Sequence, residues 1–544
     1  MCVVGPARTI PETLAAAVGS FTEHQAVADQ NSPLTFGELH EQVRTFGAAL
    51  VSTGIHVGDR VAIWAPNSPE WVVAALGVFQ VGASLVPVNT RFKGAEAAGI
   101  LRRAQVRLLV TTSGFLGNDY VTLLRGAGVE LTALATTVTT DTSDTSDTSD
   151  TRTATVPWPE FLARATDATR GEADRRAAAL TPDTVSDIIF TSGTTGQPKG
   201  VVHTHRSTLQ AAQDWVAMTG LATGDRYLMV NPFFHMFGLK SGVLAALVAG
   251  ATMLPEPVFD VGQVLRRVVE EKVTVLPGPP TLYQAILDHP ERDRYDLSSL
   301  RLAVTGAADI PVTLIQRVLE ELPFTDVLAG YGLTEGGTAT GTSLTDDART
   351  IATTVGRRRP GVELHIVDGD GRVLPGGQPG EIQLRSATVM SHYLDDPAAT
   401  AEVLSADGWL RTGDLGTIDD AGLLRIVGRA KDMFIVGGFN TYPAEIENIL
   451  LGHPDIEQAA VIGVPDGRLG EVGMAFVVLC PGAVTTPGEL VTWSRERMAN
   501  YKVPRYVQVI DALPLNATGK VVKQHLREQA ATTPIAPNHE EKKT

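Results

Sequence analysis

Short apolar runs alternate with helical patterns along the first part of the chain. Residues 61–64 are apolar throughout, residues 70–81 repeat apolar positions at helical spacing, and residues 84–88 form another apolar run. A strand, a helix and a strand at this spacing are typical of a βαβ unit, which pairs its strands in parallel. Similar units recur over residues 227–254 and 261–305. The pattern therefore predicts an α/β fold built on parallel strands.

The pattern changes towards the C-terminus. Residues 361–428 contain short strand-like runs separated by Gly and Pro turns, and residues 433–510 show strand, helix, strand, strand and helix. A chain of 544 residues exceeds the size at which single cores stop growing, so at least two domains are expected. We predict a large N-terminal domain over residues 1–428, with stacked mixed sheets, flanking helices and a small barrel-like part. A small mobile α+β domain over residues 429–530 follows it.

Three segments lack the periodicity of packed elements. Residues around 30–33 are typical of a hairpin turn. Residues 136–155 form a low-complexity Thr/Ser/Asp tract, which we interpret as a mobile surface loop, with a regulatory phosphorylation site as the alternative. Residues 531–544 are predicted to be a disordered tail.

Composition narrows the possible partners. The net charge of −16 disfavours nucleic acid and anionic membranes, because both attract basic surfaces. The two cysteines, Cys2 and Cys480, have no metal-binding spacing and argue against a disulfide framework. No apolar run is long enough to span a membrane. We therefore expect a cytoplasmic protein with no integral membrane association and no nucleic-acid partner.

The strongest chemical signal is the loop over residues 191–200, which reads TSGTTGQPKG. Glycines let such a loop turn tightly and aim backbone N–H groups inward, while hydroxyl side chains add neutral donors for a polyphosphate. The ordinary Walker pattern fails, because Pro198 stands where that pattern requires a glycine after Gly193. The candidate phosphate contacts are Thr191, Ser192, Gly193, Thr194, Thr195, Gly196 and Lys199.

Further motifs follow in a fixed order. They are NPFFHMFG at residues 231–238, TGAA at 305–308, YGLTE at 331–335, WLRTGD at 409–414, GRAKD at 428–432 with GGFNTYPAEIE at 437–447, and PLNATGK at 514–520. Together with the phosphate loop they resemble the signatures of the adenylate-forming superfamily, which comprises acyl-CoA synthetases, luciferases and adenylation domains. The resemblance covers nearly the whole chain, and the agreement in order makes it specific.

The resemblance implies ATP, Mg²⁺ and coenzyme A as cofactors and a small carboxylic acid as substrate. Attack of the carboxylate on the α-phosphate of ATP brings two anions together, so positive charge is needed there. Lys520 is the candidate for that charge. Glu335 is the expected Mg²⁺ ligand, with Thr191 as a second one, because magnesium takes oxygen ligands. Thr334 is expected to donate to the α-phosphate.

The resemblance also assigns the nucleoside contacts to the large domain. The expected adenine contacts are Tyr331, Gly332, Gly306, Ala307 and Ala308. Asp414 is expected to accept from the ribose hydroxyls, and Arg429 to reach the ribose or a phosphate. The alternatives are a core tyrosine for Tyr331 and a plain interdomain salt bridge for Arg429.

Adenylation and thioester formation take place at one site, and each half-reaction requires different protein groups there. The family solves this by rotating the small domain, and Lys431 matches the pivot position. Lys520 would face the adenylate in the first state. Gly437, Gly438 and Phe439 would face it in the second state and form part of the tunnel for the pantetheine arm, since glycine permits close backbone approach.

His235 is expected to shape the acyl pocket and to gate the tunnel through which the thiol arrives. A histidine satisfied within the core is the alternative. We do not assign it as a general base, because a thiol that attacks an adenylate needs little help from a base.

The pocket residues indicate the class of acid. Residues 234–237 lack the Asp with which amino-acid-activating domains bind an amine, so a free-standing CoA ligase is preferred. The expected pocket segments, 236–240, 277–283 and 306–308, are largely small or apolar. Residues 237–242 resemble the stretch found in ligases for ring-bearing acids of steroid breakdown. This predicts a bulky alicyclic or polycyclic propanoate-like acid.

Several alternatives stay open at this level. Lys240 either meets a distant polar group of the acid or extends along apolar surface with its charge in water. The enzyme is alternatively a medium-chain fatty acyl-CoA ligase, or a half-active relative that binds an acyl-adenylate and forms only the thioester. The luciferase branch is disfavoured. A homodimer is expected by analogy with relatives.

Overall fold

A computed structural model describes residues 7–29, 33–140, 154–191, 198–306, 312–436, 439–466, 468–516 and 520–532. Within these ranges, no helix is both long enough and apolar enough to cross a membrane.

Helices and strands alternate through the large N-terminal part. The first elements are α1 Ile10–Phe21, β1 Gln25–Val27, β2 Leu34–Thr35, α2 Phe36–Ser52, β3 Arg60–Trp64, α3 Pro69–Gln80, β4 Ser84–Pro87, α4 Gly94–Arg103, β5 Leu108–Thr111, β6 Ser113–Phe115, β7 Asn118–Asp119, α5 Tyr120–Gly126, β8 Thr136–Thr139, β9 Ala154–Pro157, α6 Trp158–Leu162, α7 Asp167–Ala179 and β10 Val185–Thr191. The next are β11 Lys199–Thr204, α8 His205–Thr219, β12 Arg226–Met229, a π-helix Phe237–Leu244, α9 Ala245–Ala249, β13 Thr252–Pro255, α10 Val261–Glu271, β14 Val275–Pro277, α11 Pro280–Leu287, a 3₁₀ turn Arg292–Arg294, β15 Leu302–Gly306, α12 Val312–Glu321, β16 Asp326–Leu333 and β17 Gly337–Gly341.

Shorter strands follow, and then a small C-terminal domain. The elements before that domain are α13 Ala348–Thr353, β18 Arg357–Arg358, β19 Glu363–Val367, β20 Gly380–Arg385, β21 His392–Tyr393, α14 Pro397–Val403, β22 Leu410–Ile418 and β23 Leu424–Arg429. The elements within it are β24 Phe434–Val436, β25 Phe439–Thr441, α15 Pro443–Leu450, β26 Ile456–Asp466, β27 Gly470–Leu479, α16 Pro487–Arg495, β28 Tyr506–Val509 and α17 Lys523–Thr532.

The first predicted βαβ unit is confirmed. Helix α3 begins after Ser68, whose hydroxyl accepts a hydrogen bond of 3.2 Å from the Trp71 N–H, and proline occupies the first helical position. The chain leaves the helix at Gly82 with φ of +73°, a left-handed conformation that glycine adopts without a steric cost. Strands β3 and β4 then pair in parallel, with Val61 beside Leu85.

Two stacked mixed sheets form the framework of the large domain. One runs in the order β18-β17-β16-β15-β14-β12-β13-β1-β2, and the other in the order β21-β11-β10-β4-β3-β5-β8-β9. Inner strands pair in parallel, whereas β11 and β17 pair antiparallel with their neighbours. The parallel unit predicted over 261–305 is confirmed by the pairing of β14 with β15.

The main core lies between these two sheets. Ile63 and Val110 of one sheet, Met253 and Leu302 of the other, and Phe46 of α2 belong to a single buried cluster. Helices α10 to α12 cover the outer face of one sheet, and α4 and α5 cover the outer face of the other. Each fully buried apolar side chain stabilises such a core by roughly 1.5–3 kcal/mol. Because both faces of each sheet are buried, the sequences of its strands are continuous apolar runs.

Two further sheets complete the fold. Strands β19-β20-β22-β23 form an antiparallel sheet at the place of the predicted barrel-like part. In the C-terminal domain, strands run in the order β25-β24-β27-β26, with β28 beside β27. Ile446 and Leu490 pack on one face of this last sheet and Leu526 packs on the other. The fold is thus an α/β fold with a separate small C-terminal domain.

Two predictions about unstructured segments are wrong in part. The tract over 136–155 does not begin or end as a loop, because Thr136–Thr139 is a buried strand that pairs in parallel with Ala154–Pro157. Threonine is β-branched and fits a pleated strand although it is polar. The predicted tail begins too early, because α17 continues to Thr532. Residues 141–153 and 533–544 lie outside the described residues.

Candidate active site

A buried carboxylate of the antiparallel sheet is held from two sides. Asp414 lies on β22 and is 8% exposed. The Tyr331 hydroxyl on β16 donates a hydrogen bond of 2.6 Å to Asp414 Oδ2, and Arg429 Nε on β23 lies 3.2 Å from Asp414 Oδ1. Burial and the nearby Asp414 charge raise the pKa of Tyr331, so its phenol stays protonated as a donor. A carboxylate offers about four lone-pair sites, so Asp414 keeps capacity for further donors such as ligand hydroxyls.

Glu335 lies half-buried in the turn between β16 and β17 and contacts a neighbouring segment twice. The Tyr393 hydroxyl donates to Glu335 Oε1 over 3.0 Å, and the Met390 N–H donates to the Glu335 backbone carbonyl over 2.8 Å. The Lys199 ammonium lies 4.9 Å from the centroid of the Tyr393 ring, a cation–π distance. Tyr393 therefore links the carboxylate to the lysine that ends the phosphate loop.

The main chain of the YGLTE motif is fixed from the core. The Thr334 carbonyl accepts a hydrogen bond of 2.8 Å from Nε2 of His203, which is 1% exposed, and His203 Nδ1 lies 3.3 Å from the Ser207 hydroxyl. Since a carbonyl only accepts, Nε2 is assigned the proton. Burial lowers the pKa of His203 to about 3, so the ring is neutral at physiological pH.

Lys520 lies among the charges of these motifs. Its N–H donates to Asn516 Oδ1 over 2.9 Å, and its carbonyl accepts from the Asn516 N–H over 2.8 Å. Burial and the Arg429 charge lower the pKa of Lys520, while Asp414 and Glu335 oppose that shift. Lys520 of the small domain therefore lies within electrostatic range of Asp414 and Glu335 of the large domain.

The charge of Lys520 also affects the pKa of His235. Burial, and secondly the Lys520 charge, lower the pKa of His235 to about 4. The Phe237 N–H donates to His235 Nδ1 over 3.2 Å, which assigns the proton of the neutral ring to Nε2. His235 can thus donate one hydrogen bond and is a poor proton acceptor at neutral pH.

The segment that carries His235 is fastened by a residue from the first βαβ unit. Asn67 accepts a hydrogen bond of 2.8 Å from the Phe233 N–H and donates one of 3.0 Å to the Asn231 carbonyl. Gly238 closes this turn, because a Cβ at that position would lie 2.1 Å from the Pro232 carbonyl oxygen. The histidine is therefore positioned by backbone contacts that the motif string by itself does not reveal.

The structure brings most of the predicted site residues to one region. These are Lys199, His235, Tyr331, Thr334, Glu335, Asp414, Arg429 and Lys520. Gly306 and Gly332 lie where backbone approaches closely, since a Cβ would come within 2.8 Å of the Gly330 oxygen and 2.6 Å of the Gly337 oxygen respectively. Thr191 ends β10 opposite Lys199, and Phe439 begins β25. Ser192, Gly193, Thr194, Thr195, Gly196, Ala307, Ala308, Gly437 and Gly438 lie outside the described residues.

Three residues that contact the predicted site residues are not part of any recognised motif. His203 stands next to the phosphate loop in sequence, but only the fold brings it to Thr334. Tyr393 lies in the string SHYLDD, which has no chemical signature of its own. Asn67 lies in the loop between β3 and α3, and only the fold brings it to Phe233. No local pattern indicates these contacts, since His203 and Tyr393 lie in strands and Asn67 lies in a loop.

Lys240 pairs with a carboxylate inside the core. Its side chain is 1% exposed and its Nζ lies 3.3 Å from Asp187 Oδ2 of β10, whose side chain is fully buried. Asp187 Oδ1 accepts from the Ser186 and Thr208 hydroxyls at 2.7 and 2.6 Å. The prediction of a charge extended into water is wrong, because the π-helix directs Lys240 into the core, where a carboxylate neutralises it.

The site combines groups of both signs around one space. Lys199, Arg429 and Lys520 supply positive charge, and Glu335 and Asp414 supply carboxylate oxygens. Such a set can neutralise a polyphosphate, hold hydroxyl groups and offset the repulsion between two reacting anions.

Comparison with known proteins agrees with this chemistry. Residues 14–394 match the family model of the AMP-binding enzyme, and residues 445–520 match that of the AMP-binding enzyme C-terminal domain. A 3-[(3aS,4S,7aS)-7a-methyl-1,5-dioxo-octahydro-1H-inden-4-yl]propanoyl:CoA ligase of Rhodococcus jostii (strain RHA1) is 49% identical over 96% of this chain and 98% of its own length. The ligase of the same description from Mycobacterium tuberculosis is 47% identical over 97% of this chain and 100% of its own. The crystal structure of the anthranilate CoA ligase AuaEII with anthranoyl-AMP superimposes with a TM-score of 0.86 at 27% identity and 98% coverage of both chains.

The chain therefore belongs to the AMP-binding, adenylate-forming enzyme family. Its activity is that of an ATP-dependent, AMP-forming acyl-CoA ligase, with ATP, CoA and a carboxylic acid as substrates.

Proposed function

We propose that this ligase activates a bulky polycyclic acid with a propanoate side chain, as an acyl-adenylate, and then transfers the acyl group to CoA. The observation that carries the proposal of a complete reaction is the placing of Asp414 between Tyr331 and Arg429. Lys520 of the C-terminal domain lies within electrostatic range of this carboxylate and of Glu335. The acid class is supported by the two relatives at 49% and 47% identity, whose descriptions name a methyl-dioxo-octahydroindenyl propanoyl group.

In the first half-reaction, the acid carboxylate attacks the α-phosphate of ATP and pyrophosphate leaves. Lys520 would neutralise the two anions as they approach, and Thr334 would act as a neutral donor to the α-phosphate. Asp414 would accept from the ribose hydroxyls while Tyr331 and Arg429 hold its orientation. Lys199 and the loop before it would hold the leaving pyrophosphate.

Glu335 is proposed to hold the Mg²⁺ that accompanies ATP, with Thr191 as a second oxygen ligand. The Glu335 carboxylate suits such an ion, because it is half-buried and Tyr393 contacts only its Oε1. Magnesium bound through one or two protein oxygens plus phosphate oxygens is the common arrangement in such sites. When bound, the ion would supply charge neutralisation to the phosphates.

In the second half-reaction, the CoA thiol attacks the acyl carbonyl and AMP leaves. We propose that residues 429–530 rotate as one small domain about Lys431, which removes Lys520 and presents the segment that begins β25. Phe439 and the glycines before it would then line the path of the pantetheine arm. His235, neutral and protonated on Nε2, would contribute a donor to the wall of the acyl pocket.

The alternative acids differ in shape rather than in reactive chemistry. A medium-chain fatty acid needs a narrow channel, whereas a fused ring system needs width beside the carboxylate. The π-helix Phe237–Leu244 begins two residues after His235, and π-helical turns are frequent at functional sites. The two relatives at 49% and 47% identity favour the ring-bearing acid.

The experiment is a panel of linear and fused-ring propanoates assayed in two ways. ATP–pyrophosphate exchange reports adenylation, and thioester formation from a supplied acyl-adenylate reports transfer. We expect exchange with the fused-ring acid to exceed exchange with a linear acid of equal carbon number by at least about 100-fold, since shape-matched contacts worth about 3 kcal/mol give that ratio. Equal rates would favour the medium-chain alternative. Thioester formation with no exchange on any acid would identify the half-active relative.

A further inference from the structure

Tyr393 is fixed by contacts within the protein itself. It lies on edge strand β21, which pairs antiparallel with β11 so that Tyr393 stands beside Val201. Its own N–H donates to the Thr400 hydroxyl over 2.9 Å, and the following Leu394 N–H donates to the Gly200 carbonyl over 2.7 Å. The side chain is buried, with 7% of the residue exposed. The phenol therefore has little freedom to leave Glu335.

The same short segment holds Glu335 at its backbone and at its side chain. Met390 contacts the Glu335 carbonyl and Tyr393 contacts the carboxylate. A tyrosine hydroxyl is protonated at neutral pH, so it donates to the carboxylate, which can only accept. Since the Tyr393 ring also faces the Lys199 ammonium, one side chain contacts both the carboxylate and the cation of the phosphate site.

We propose that Tyr393 is a positioning residue for the metal carboxylate: it occupies Glu335 Oε1, so that Glu335 offers a single oxygen to the divalent ion. This inference rests on the proposed role of Glu335 in adenylation. A singly bound carboxylate suits Mg²⁺, which demands near-octahedral geometry and keeps several waters. A carboxylate free to bind through both oxygens suits the larger Ca²⁺ better. Tyr393 thus selects the ion as well as orienting its ligand.

The test is the variant Tyr393→Phe, which keeps the ring and removes the hydroxyl. Binding is measured by electron paramagnetic resonance of Mn²⁺ with the full-length protein and a non-hydrolysable ATP analogue, followed by displacement with Mg²⁺ and with Ca²⁺. We expect the Mn²⁺ affinity to fall about 10-fold, the size of effect that hydrogen-bonding partners of metal ligands produce. The preference for Mg²⁺ over Ca²⁺ should fall as well.

A second variant separates the two contacts of the ring. Tyr393→Leu removes the face that the Lys199 ammonium contacts, so its affinity for the ATP analogue should fall a further few-fold beyond that of Tyr393→Phe. Tyr295→Phe is the matched control, because Tyr295 packs against His289 rather than against the site.

Failure of this inference and failure of the proposed function would give different results. Mn²⁺ affinity and ion preference that are unchanged or stronger in Tyr393→Phe would overturn the inference, even if the wild-type protein is fully active. Absence of ATP–pyrophosphate exchange in the wild-type protein would instead contradict the proposed function. Melting temperatures of the variants within a few degrees of the wild type establish that the change is local.

Discussion

The Tyr331 hydroxyl donates a hydrogen bond of 2.6 Å to Asp414 Oδ2, which joins two motifs that stand 83 positions apart. Arg429 approaches the other oxygen of the same carboxylate. Tyr331 therefore serves to orient Asp414, in addition to any contact it makes with adenine. Two side chains of the protein thus fix the carboxylate in two directions.

Removal of this hydroxyl should weaken nucleotide binding more than it slows chemistry. In Tyr331→Phe we expect the KM for ATP to rise about 10-fold, because a hydrogen bond to a charged group is worth about 1.5–3 kcal/mol. The kcat of exchange should change much less. Steady-state ATP–pyrophosphate exchange measures both constants. A KM equal to that of the wild type, with a reduced kcat, would show that the orientation of Asp414 is not the role of Tyr331.

Lys520 should matter to one half-reaction only. In Lys520→Ala we expect exchange to fall by about 100-fold or more, because the charge that offsets two approaching anions is lost. Thioester formation from a supplied acyl-adenylate should stay within a few-fold of the wild type. Lys272→Ala is a suitable control, since Lys272 is 62% exposed and pairs with an exposed aspartate. Equal losses in both half-reactions would exclude the proposed division of labour.

Removing one member of the buried Lys240–Asp187 ion pair should strongly lower the free energy of unfolding. Lys240→Met leaves an uncompensated carboxylate in the core, which destabilises the large domain by about 3–5 kcal/mol. Adding Asp187→Asn removes that charge and should recover most of the loss. Urea denaturation of both single variants and of the double variant measures the coupling. Additive losses would mean that the two charges do not interact.

His203 should make the protein less stable in mild acid. Its folded-state pKa of about 3 lies below the ordinary value of 6.5, so the unfolded chain binds a proton that the folded protein excludes. This contribution is complete above pH 6.5 and is lost as the pH falls towards 3, by about 2 kcal/mol at pH 5. In His203→Gln, which keeps a donor for Thr334, unfolding free energies from pH 7.5 to 5 should fall less steeply. A slope identical to that of the wild type would contradict the prediction.

Local patterns were sufficient for much of the fold. Apolar runs predict β3 and β4, and the stretch from Ser68 to Gly82 carries the start and stop signals of α3. The same reasoning failed at Thr136–Thr139, because whether a run of β-branched polar residues forms a strand depends on the neighbouring strand that accepts it. The expected domain limits, homodimer and cytoplasmic location stay predictions.

What the sequence by itself determined is the chemistry: a glycine- and hydroxyl-rich loop, a carboxylate in each of two motifs, and a lysine near the C-terminus, in the order of one family. These signals are local, because phosphate binding requires particular residue types at close spacing. Only the tertiary structure decided which other side chains contact and orient the residues of these motifs. Tyr393 reaches Glu335 through the edge of a sheet, and His203 reaches Thr334 through the core. Contacts of this kind depend on strand order and burial, which a linear motif does not encode.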